Sequence, residues 1–327
     1  MPCELPNDVR AQHAALTGDV AVASLAGRTQ IEVRGGDRAA LLQNLCTGDV
    51  KRLAAGEGCE AFFTNVQGRV LAHVYLFCTP QSVVLDTVPD QSEALLAHLD
   101  RYIIREDVQL HDRTAEWKEL LVGGARAESL LSGVLQTNVP TALLSHCEAK
   151  LGGATVFVRR VDWAGPVGFF LSASAESVDA VRKALVSAGA VPCGDKAVEI
   201  ARIEAGTPFY GRDINDKNFP QEVGRDERAI SFTKGCYLGQ ETVARIDALG
   251  HVNRLLVGLC FEGSEAPTPG TELRVGDKTA GTVTSSVYSP RLEAPLALGY
   301  VRREYLADDV AIESPSAAAR RVHLPLT

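Results

Sequence analysis

The chain has 327 residues, 46% hydrophobic and 23% charged, with a formal net charge of −8. That composition describes a globular protein long enough for two or three domains. The acidic balance, with no block of basic residues, argues against strong nonspecific nucleic-acid binding, which rests on Lys and Arg neutralising phosphates, and leaves room only for a local basic pocket.

In chain order, Asp37 precedes residues 38–45, whose leucines recur at helical spacing. Residues 70–77 and 82–86 read as strands joined by the turn Thr79-Pro80-Gln81. Asp90 then opens a second helix, with Glu93 placed as in a capping box and Leu95, Leu96, Leu99, Tyr102 and Ile103 as its apolar stripe. Gly123-Gly124 follows the apolar run 119–122 and precedes a helix over 125–131. Such a pair either seats an anion or merely permits a tight turn, and the turn is the commoner use. Residues 154–161 and 167–172 form another strand pair around Gly165-Pro166. Helices follow over 177–188, stopped by Gly189, and 196–205, stopped by Gly206. Strand pairs punctuated by helices, without strict β-α-β alternation, predict an α+β fold with largely antiparallel sheets. From Leu255 onward the pattern changes to short strands (255–261, 272–275, 281–288, 297–301, 310–312), which predict a separate small β-barrel or sandwich. Residues 314–319 read as a loop.

The eight cysteines (Cys3, Cys46, Cys59, Cys78, Cys147, Cys193, Cys236, Cys260) lie at least thirteen residues apart, so no metal-ribbon, cluster-loop or C-x-x-C spacing occurs and no metal site is expected. The start, Met1 to Asp8, lacks the pattern of a secretory signal, and no apolar run approaches the ~20 residues that span a bilayer. A reducing cytoplasm and no membrane partner are the expectation. Dinucleotide, Walker, nucleophile-elbow and zincin motifs are absent, and the seven histidines are scattered.

Three segments carry chemistry. Arg202 lies on the helix 196–205 with a partly apolar face, where a guanidinium needs either a ligand or an acid such as Glu199. Residues 210–222 form a long polar segment with an aromatic near each end, a kind of loop that is often functional. Lys234-Gly235-Cys236-Tyr237-Leu238-Gly239-Gln240-Glu241, continuing to Arg245, sets a cysteine beside a lysine and just ahead of a helix. That setting favours thiolate; the alternative is a buried structural thiol.

The string K-G-C-Y-L-G-Q-E-T-V-A-R at 234–245 resembles the signature of the YgfZ-type folate-binding proteins, relatives of the glycine-cleavage T-protein implicated in Fe–S cluster assembly or repair. Leu45-Cys46-Thr47-Gly48-Asp49-Val50 is similar to the family's L-x-T-x-D-V, Asn65 to Gly68 to its N-x-x-G, and Arg202-Ile203-Glu204-Ala205-Gly206 with Tyr210-Gly211 to its R-[IL]-E-A-G…Y-G block. Ala280–Ser285 and Leu296–Val301 are similar to the T-protein's C-terminal barrel. The resemblance implies a three-domain cloverleaf around a central channel for tetrahydrofolate. Its parts would be a discontinuous α+β folate-binding domain (1–46 and 114–247), an inserted α+β domain (47–113) and a barrel (248–327).

It also implies that Arg202, Glu204, Tyr210 and Asn65 line the folate channel. Cys236 would be the functional thiol, held partly as thiolate by Lys234 and the following helix, with Gly235, Tyr237, Gly239, Gln240, Glu241 and Arg245 shaping its surroundings. Two departures bear on activity. Ala72 and His73 stand where the aminomethyltransferases carry two aspartates, and Pro166 and Phe170 stand where the T-protein carries the acids of its pterin-facing segment. Alanine cannot orient an amine or carry charge, so both losses favour the YgfZ branch, with folate and Fe–S client or assembly proteins as partners. The alternative is a folate-dependent one-carbon transferase or demethylase using a displaced acid, Asp49 or Glu204.

Overall fold

The computed structural model describes residues 5–307 and 310–326; Cys3 and the outermost residues of the expected first and last domains fall outside them. Two sheets and a barrel make up the fold. The first sheet has the strand order Val191–Cys193, Ala21–Leu25, Trp117–Gly123, Gly168–Ser174, Ala154–Val161, His146–Leu151, and only its first pairing is parallel. The second sheet runs Gly58–Thr64, Val70–Cys78, Ser82–Pro89, Arg28–Arg34, Gln109–Asp112, antiparallel throughout. The tail closes into a six-stranded barrel, Arg254–Phe261, Ala294–Arg302, Lys278–Ser289, Glu272–Val275, Ile312–Glu313, Ala318–Val322. The α+β class and the C-terminal barrel therefore match the sequence expectation. Among the described residues, no helix is long and apolar enough to cross a membrane.

The strand Val70–Cys78 shows how sequence sets the architecture. It is apolar on both faces because both faces are covered. Ala72, Val74 and Leu76 pack with Leu41, Leu42 and Leu45 of the helix Arg38–Leu45 and with Leu95 and Leu99 of the helix Ser92–Asp100. Tyr75 and Phe77 instead meet Leu121 and Phe170 of the first sheet. At about 1.5–3 kcal/mol per fully buried large side chain, the first interface holds the helices to the second sheet and the other holds the two sheets together.

A buried ionic cluster pins the same interface. Arg28 donates to Asp86 (2.8 Å) and pairs with Glu119 (2.8 Å), while Arg159 meets Asp86 (2.8 Å) and Glu119 (3.0 Å). Each of the four side chains is at most 5% exposed. Burial and the neighbouring Asp86 push the Glu119 carboxyl up to about 8 against the pull of the two arginines.

Some local expectations are corrected, and others gain detail. The chain enters the second sheet at Arg28–Arg34, and the helix Arg38–Leu45 packs on that sheet. The strand Arg28–Arg34 is hydrogen-bonded to both Ser82–Pro89 and Gln109–Asp112. Residues 314–317 are a loop as expected, but Ala318 and Ala319 open the strand Ala318–Val322, which pairs with Arg254–Phe261 and completes the barrel. Asp90 is no cap: it sits at φ 63°, and the helix begins at Ser92 with no side-chain cap bond. Asp37 likewise accepts from the Asp107 backbone rather than from its own helix. Gly124, at φ 113°, makes a tight turn in which a Cβ would come 2.3 Å from the Asp19 carbonyl oxygen.

Candidate functional site

The first sheet, the segment 205–228 and the barrel leave a cavity of about 770 Å³ between them. One wall comes from the connection after Ala154–Val161, with Arg160, Asp162 and Pro166. A second comes from Ala205–Thr207 and from Arg225 and Arg228, and a third from Leu255–Gly258 of the barrel with His323 and Leu324. Among the described residues, four arginines (Arg160, Arg225, Arg228, Arg321) thus line it against one carboxylate, Asp162. Arg228 holds that carboxylate in a two-point contact at 2.7 Å each. Arg160 donates to the Pro166 carbonyl (2.7 Å), and burial lowers its pKa.

Behind this wall lies a second buried group. Strand register places Glu60 opposite Tyr75 and Phe62 opposite His73. His73 shares a 2.6 Å hydrogen bond with the Glu60 carboxylate and stacks on Phe62 with centroids 5.0 Å apart. Arg225 grips both oxygens of Glu60, one at 2.8 Å, and Arg228 stands 3.4 Å away. Burial pushes the Glu60 carboxyl up, but Arg225 and His73 outweigh it and hold the group well below the usual carboxylate range. Burial lowers the His73 pKa, only partly offset by Glu60, so the imidazole is neutral at physiological pH. Thr47 ties this region together: its hydroxyl donates to the Ala229 carbonyl and accepts from the Phe62 amide.

The four residues expected to line a folate channel do other work here. Arg202 is fully buried, and its donors meet Glu199 (2.9 Å), Asp213 (2.9 Å), the Thr207 carbonyl (2.6 Å) and Ser285 (3.2 Å), leaving none for a ligand. Glu204 meets His13 (2.8 Å) and Ser289 (2.5 Å). Asn65 caps its own turn by accepting from the Gln67 and Arg69 amides. Tyr210 packs beside Phe62, Val70 and Ile214. Cavity contact in this block passes to the next residues, Ala205–Thr207. Asp49, offered as a displaced acid, accepts from Gln43 and pairs with Arg52. Pro166 does stand on the cavity wall, whereas Phe170 lies in the intersheet core under the Arg28 guanidinium, 4.7 Å from its ring centroid. Glu60, Arg225 and Arg228 carry no motif, and only the packing of the short helix Asp226–Ala229 on the strand Gly58–Thr64 brings them together.

The cysteine motif folds as a clamp on the Asn65–Arg69 turn. Gly239 sits at φ 81°, and a Cβ there would come 2.4 Å from the Asn65 carbonyl oxygen; a Cβ at Gly68 would meet Thr242 at 2.9 Å. Only glycine fits at such contacts. A Cβ at Gly235 would meet open space. The Leu238 amide donates to the Asn44 carbonyl (2.8 Å) and its carbonyl accepts from the Thr64 hydroxyl (2.5 Å), Gln240 accepts from the Tyr237 amide (3.3 Å), and Tyr237 is buried beside Val243. The helix Gln240–Leu249, carrying Glu241 and Arg245, begins after Gly239.

Cys236 itself is exposed and borders a surface cavity of about 1010 Å³ with Ala40, Asn44, Val66 and Tyr102. Lys234 does not serve its thiol. The ammonium donates to the Gln43, Cys46 and Gly48 carbonyls at 2.6–2.7 Å. Its field falls on Cys46, whose pKa burial nevertheless raises. Burial lowers the pKa of Lys234. The expectation that Lys234 holds Cys236 as thiolate is therefore corrected, because the cation is spent on buried backbone.

Two families of domain match the chain: the GCVT N-terminal domain over residues 3–234 and the glycine cleavage T-protein C-terminal barrel domain over residues 254–326. The aminomethyltransferase of Rubrobacter xylanophilus is 28% identical, covering 97% of this chain and 86% of its own. That of Symbiobacterium thermophilum is 29% identical over 96% and 88%. Aminomethyltransferase T of Bartonella henselae has the same fold, with a TM-score of 0.87 at 19% identity over 97% of this chain and 89% of that one. With residues 3–234 and 254–326 matched by these two domain families, the chain belongs to the glycine cleavage T-protein family.

Proposed function

We propose that this chain binds a tetrahydrofolate in the central cavity and supports assembly or repair of Fe–S enzymes in the cytoplasm, with Cys236 as its working thiol. The observation that carries the reading is the charge of the cavity. Its one lining acid, Asp162, is spent on Arg228, and the nearest buried acid, Glu60, is spent on Arg225 and His73. Among the described residues that line it, no carboxylate is left to hold a reacting amine, and the arginines suit the anionic glutamate tail of a folate. A cavity of about 770 Å³ is within the usual range for a ligand of that class. Tetrahydrofolate, when bound, supplies nitrogens that accept or release a one-carbon unit. Arg160 and Arg228 would hold the tail, and Leu255, Leu256 and Val257 would cover the rest.

A second reading, folate-dependent aminomethyl transfer, is the one the relatives' names favour, since both curated relatives cited above are aminomethyltransferases. Its structural support is the Glu60–His73 pair, which brings a carboxylate beside one of the positions where the family's acids belong.

Thermal unfolding with and without tetrahydrofolate tests the shared part, because a ligand at a hundredfold its Kd adds about 2.7 kcal/mol of stability. No stabilisation removes folate from both readings. Formation of methylenetetrahydrofolate from an aminomethylated lipoyl carrier then separates them. Turnover, lost in Glu60→Gln, establishes the transferase. No turnover, together with Fe–S enzyme activity restored in deficient cells by the native chain but not by Cys236→Ser, establishes the first reading.

A further inference from the structure

On a different face, the polar segment 210–222 builds a groove against the barrel. A cavity of about 900 Å³, bordered by Arg69, Lys217, Arg254, Arg302 and Arg303, adjoins one of about 360 Å³ bordered by Arg212, Lys217, Tyr300 and Arg302. Lys217, Arg254 and Arg302 border both. The acids nearby are already engaged. Glu222 is held by Arg254 at 3.1 Å, and Asp213 by Arg202 and the Thr284 hydroxyl. Glu304 stands at the exposed rim, 4.0 Å from Arg302. On a chain of net charge −8 this groove concentrates positive charge.

Tyr300 is the second and independent observation. Its side chain borders the smaller cavity and is only 7% exposed, yet its hydroxyl has no hydrogen-bond partner among the described residues. Buried hydroxyls are rarely left unpaired. The Arg254 guanidinium covers the ring at 4.8 Å, and Gly281, where a Cβ would come 1.9 Å from the Tyr300 carbonyl oxygen, keeps the adjacent strand tight against it.

We propose that this groove is a binding site for a small organic polyanion: the Tyr300 hydroxyl donates to one oxyanion group, and Arg212, Lys217, Arg254 and Arg302 neutralise the others. The oxyanions come either from the phosphates of a phosphorylated metabolite or from the carboxylates of a γ-linked glutamate chain. The site is distinct from the central cavity, so its test uses probes without a pterin, and its failure leaves the folate reading untouched.

The intact protein is titrated calorimetrically with tripolyphosphate and with a γ-linked triglutamate at physiological salt, alongside Tyr300→Phe, Arg302→Gln and, as a charge-matched control, the exposed Arg10→Gln. One probe is expected to bind saturably at one site per chain. Arg302→Gln and Tyr300→Phe should each weaken it by about tenfold, and Arg10→Gln should leave it unchanged. Tyr300→Phe should also keep or raise the melting midpoint, because it removes an unpaired buried hydroxyl. Tripolyphosphate binding alone identifies a phosphorylated ligand, and triglutamate binding alone identifies the glutamate chain. The site is refuted by saturation with neither probe, by equal losses in Arg10→Gln and Arg302→Gln, or by a Tyr300→Phe variant that melts lower while binding normally.

Discussion

Replacing Glu60 with glutamine tests the ionic group behind the central cavity. Glu60 is fully buried and satisfies Arg225 at two points, His73 at 2.6 Å and Arg228 at 3.4 Å. Glutamine keeps the shape but removes the charge, leaving Arg225, itself nearly buried, uncompensated. Breaking a buried pair in this way costs about 3–5 kcal/mol. At about 2–4 °C per kcal/mol for larger domains, that lowers the melting midpoint by roughly 10 °C. The pH dependence is more diagnostic. The folded-state pKa of Glu60 lies below its unfolded value, so its contribution is present in full above the unfolded carboxylate pKa and is lost as pH falls through the folded one. Urea unfolding of both proteins between pH 7.5 and pH 3.5 should show a constant gap down to about pH 5 that narrows below it. A variant as stable as the native protein at pH 7, or a gap unchanged down to pH 3.5, refutes the assignment of Arg225 to Glu60.

Three further outcomes follow from the geometry. Glu119, with its pKa raised to about 8, has the opposite sign: its contribution is fully present below the unfolded carboxylate pKa and declines as pH rises through 8. Glu119→Gln should therefore flatten the stability profile between pH 5 and pH 9 in chemical unfolding. Gly239→Ala combines a left-handed backbone with a Cβ 2.4 Å from the Asn65 oxygen. It should cost at least about 1–2 kcal/mol and speed alkylation of Cys236 by unseating the clamp, as read by mass spectrometry. Cys236→Ser, at an exposed position, should change stability by less than about 0.5 kcal/mol in the same melts, so any loss of function in cells belongs to the thiol and not to the fold.

Much of the architecture was legible because it rests on local pattern. The helix at 38–45, the strand pair at 70–89 and the strands of the barrel follow from periodicity and turn residues, and the helix Asp195–Glu204 ends at Gly206 as its sequence implies. What was not legible depends on long-range pairing. Residues 318–322 form a strand only because Arg254–Phe261 offers an edge to them. Arg202 illustrates the same limit at the site. Its burial and its need for an acid could be inferred, and Glu199 was foreseen, but Asp213 and Ser285 come from elsewhere in the chain and leave the guanidinium no free donor. Glu60 and Arg225 are 165 residues apart and meet because the helix Asp226–Ala229 packs on the strand Gly58–Thr64. The motif around Cys236 resembles that of a relative of the family without revealing its mechanics, since Lys234 faces three carbonyls rather than the thiol.

The central claim is that the arginine-lined cavity holds a folate. Calorimetric titration of tetrahydrofolate into the native chain and into Arg160→Gln and Arg228→Gln tests it most directly. The account predicts saturable binding at one site per chain, weakened by about tenfold in each variant as a charge-assisted bond is lost. Absence of binding to the native chain, or equal affinity in all three proteins, would contradict it.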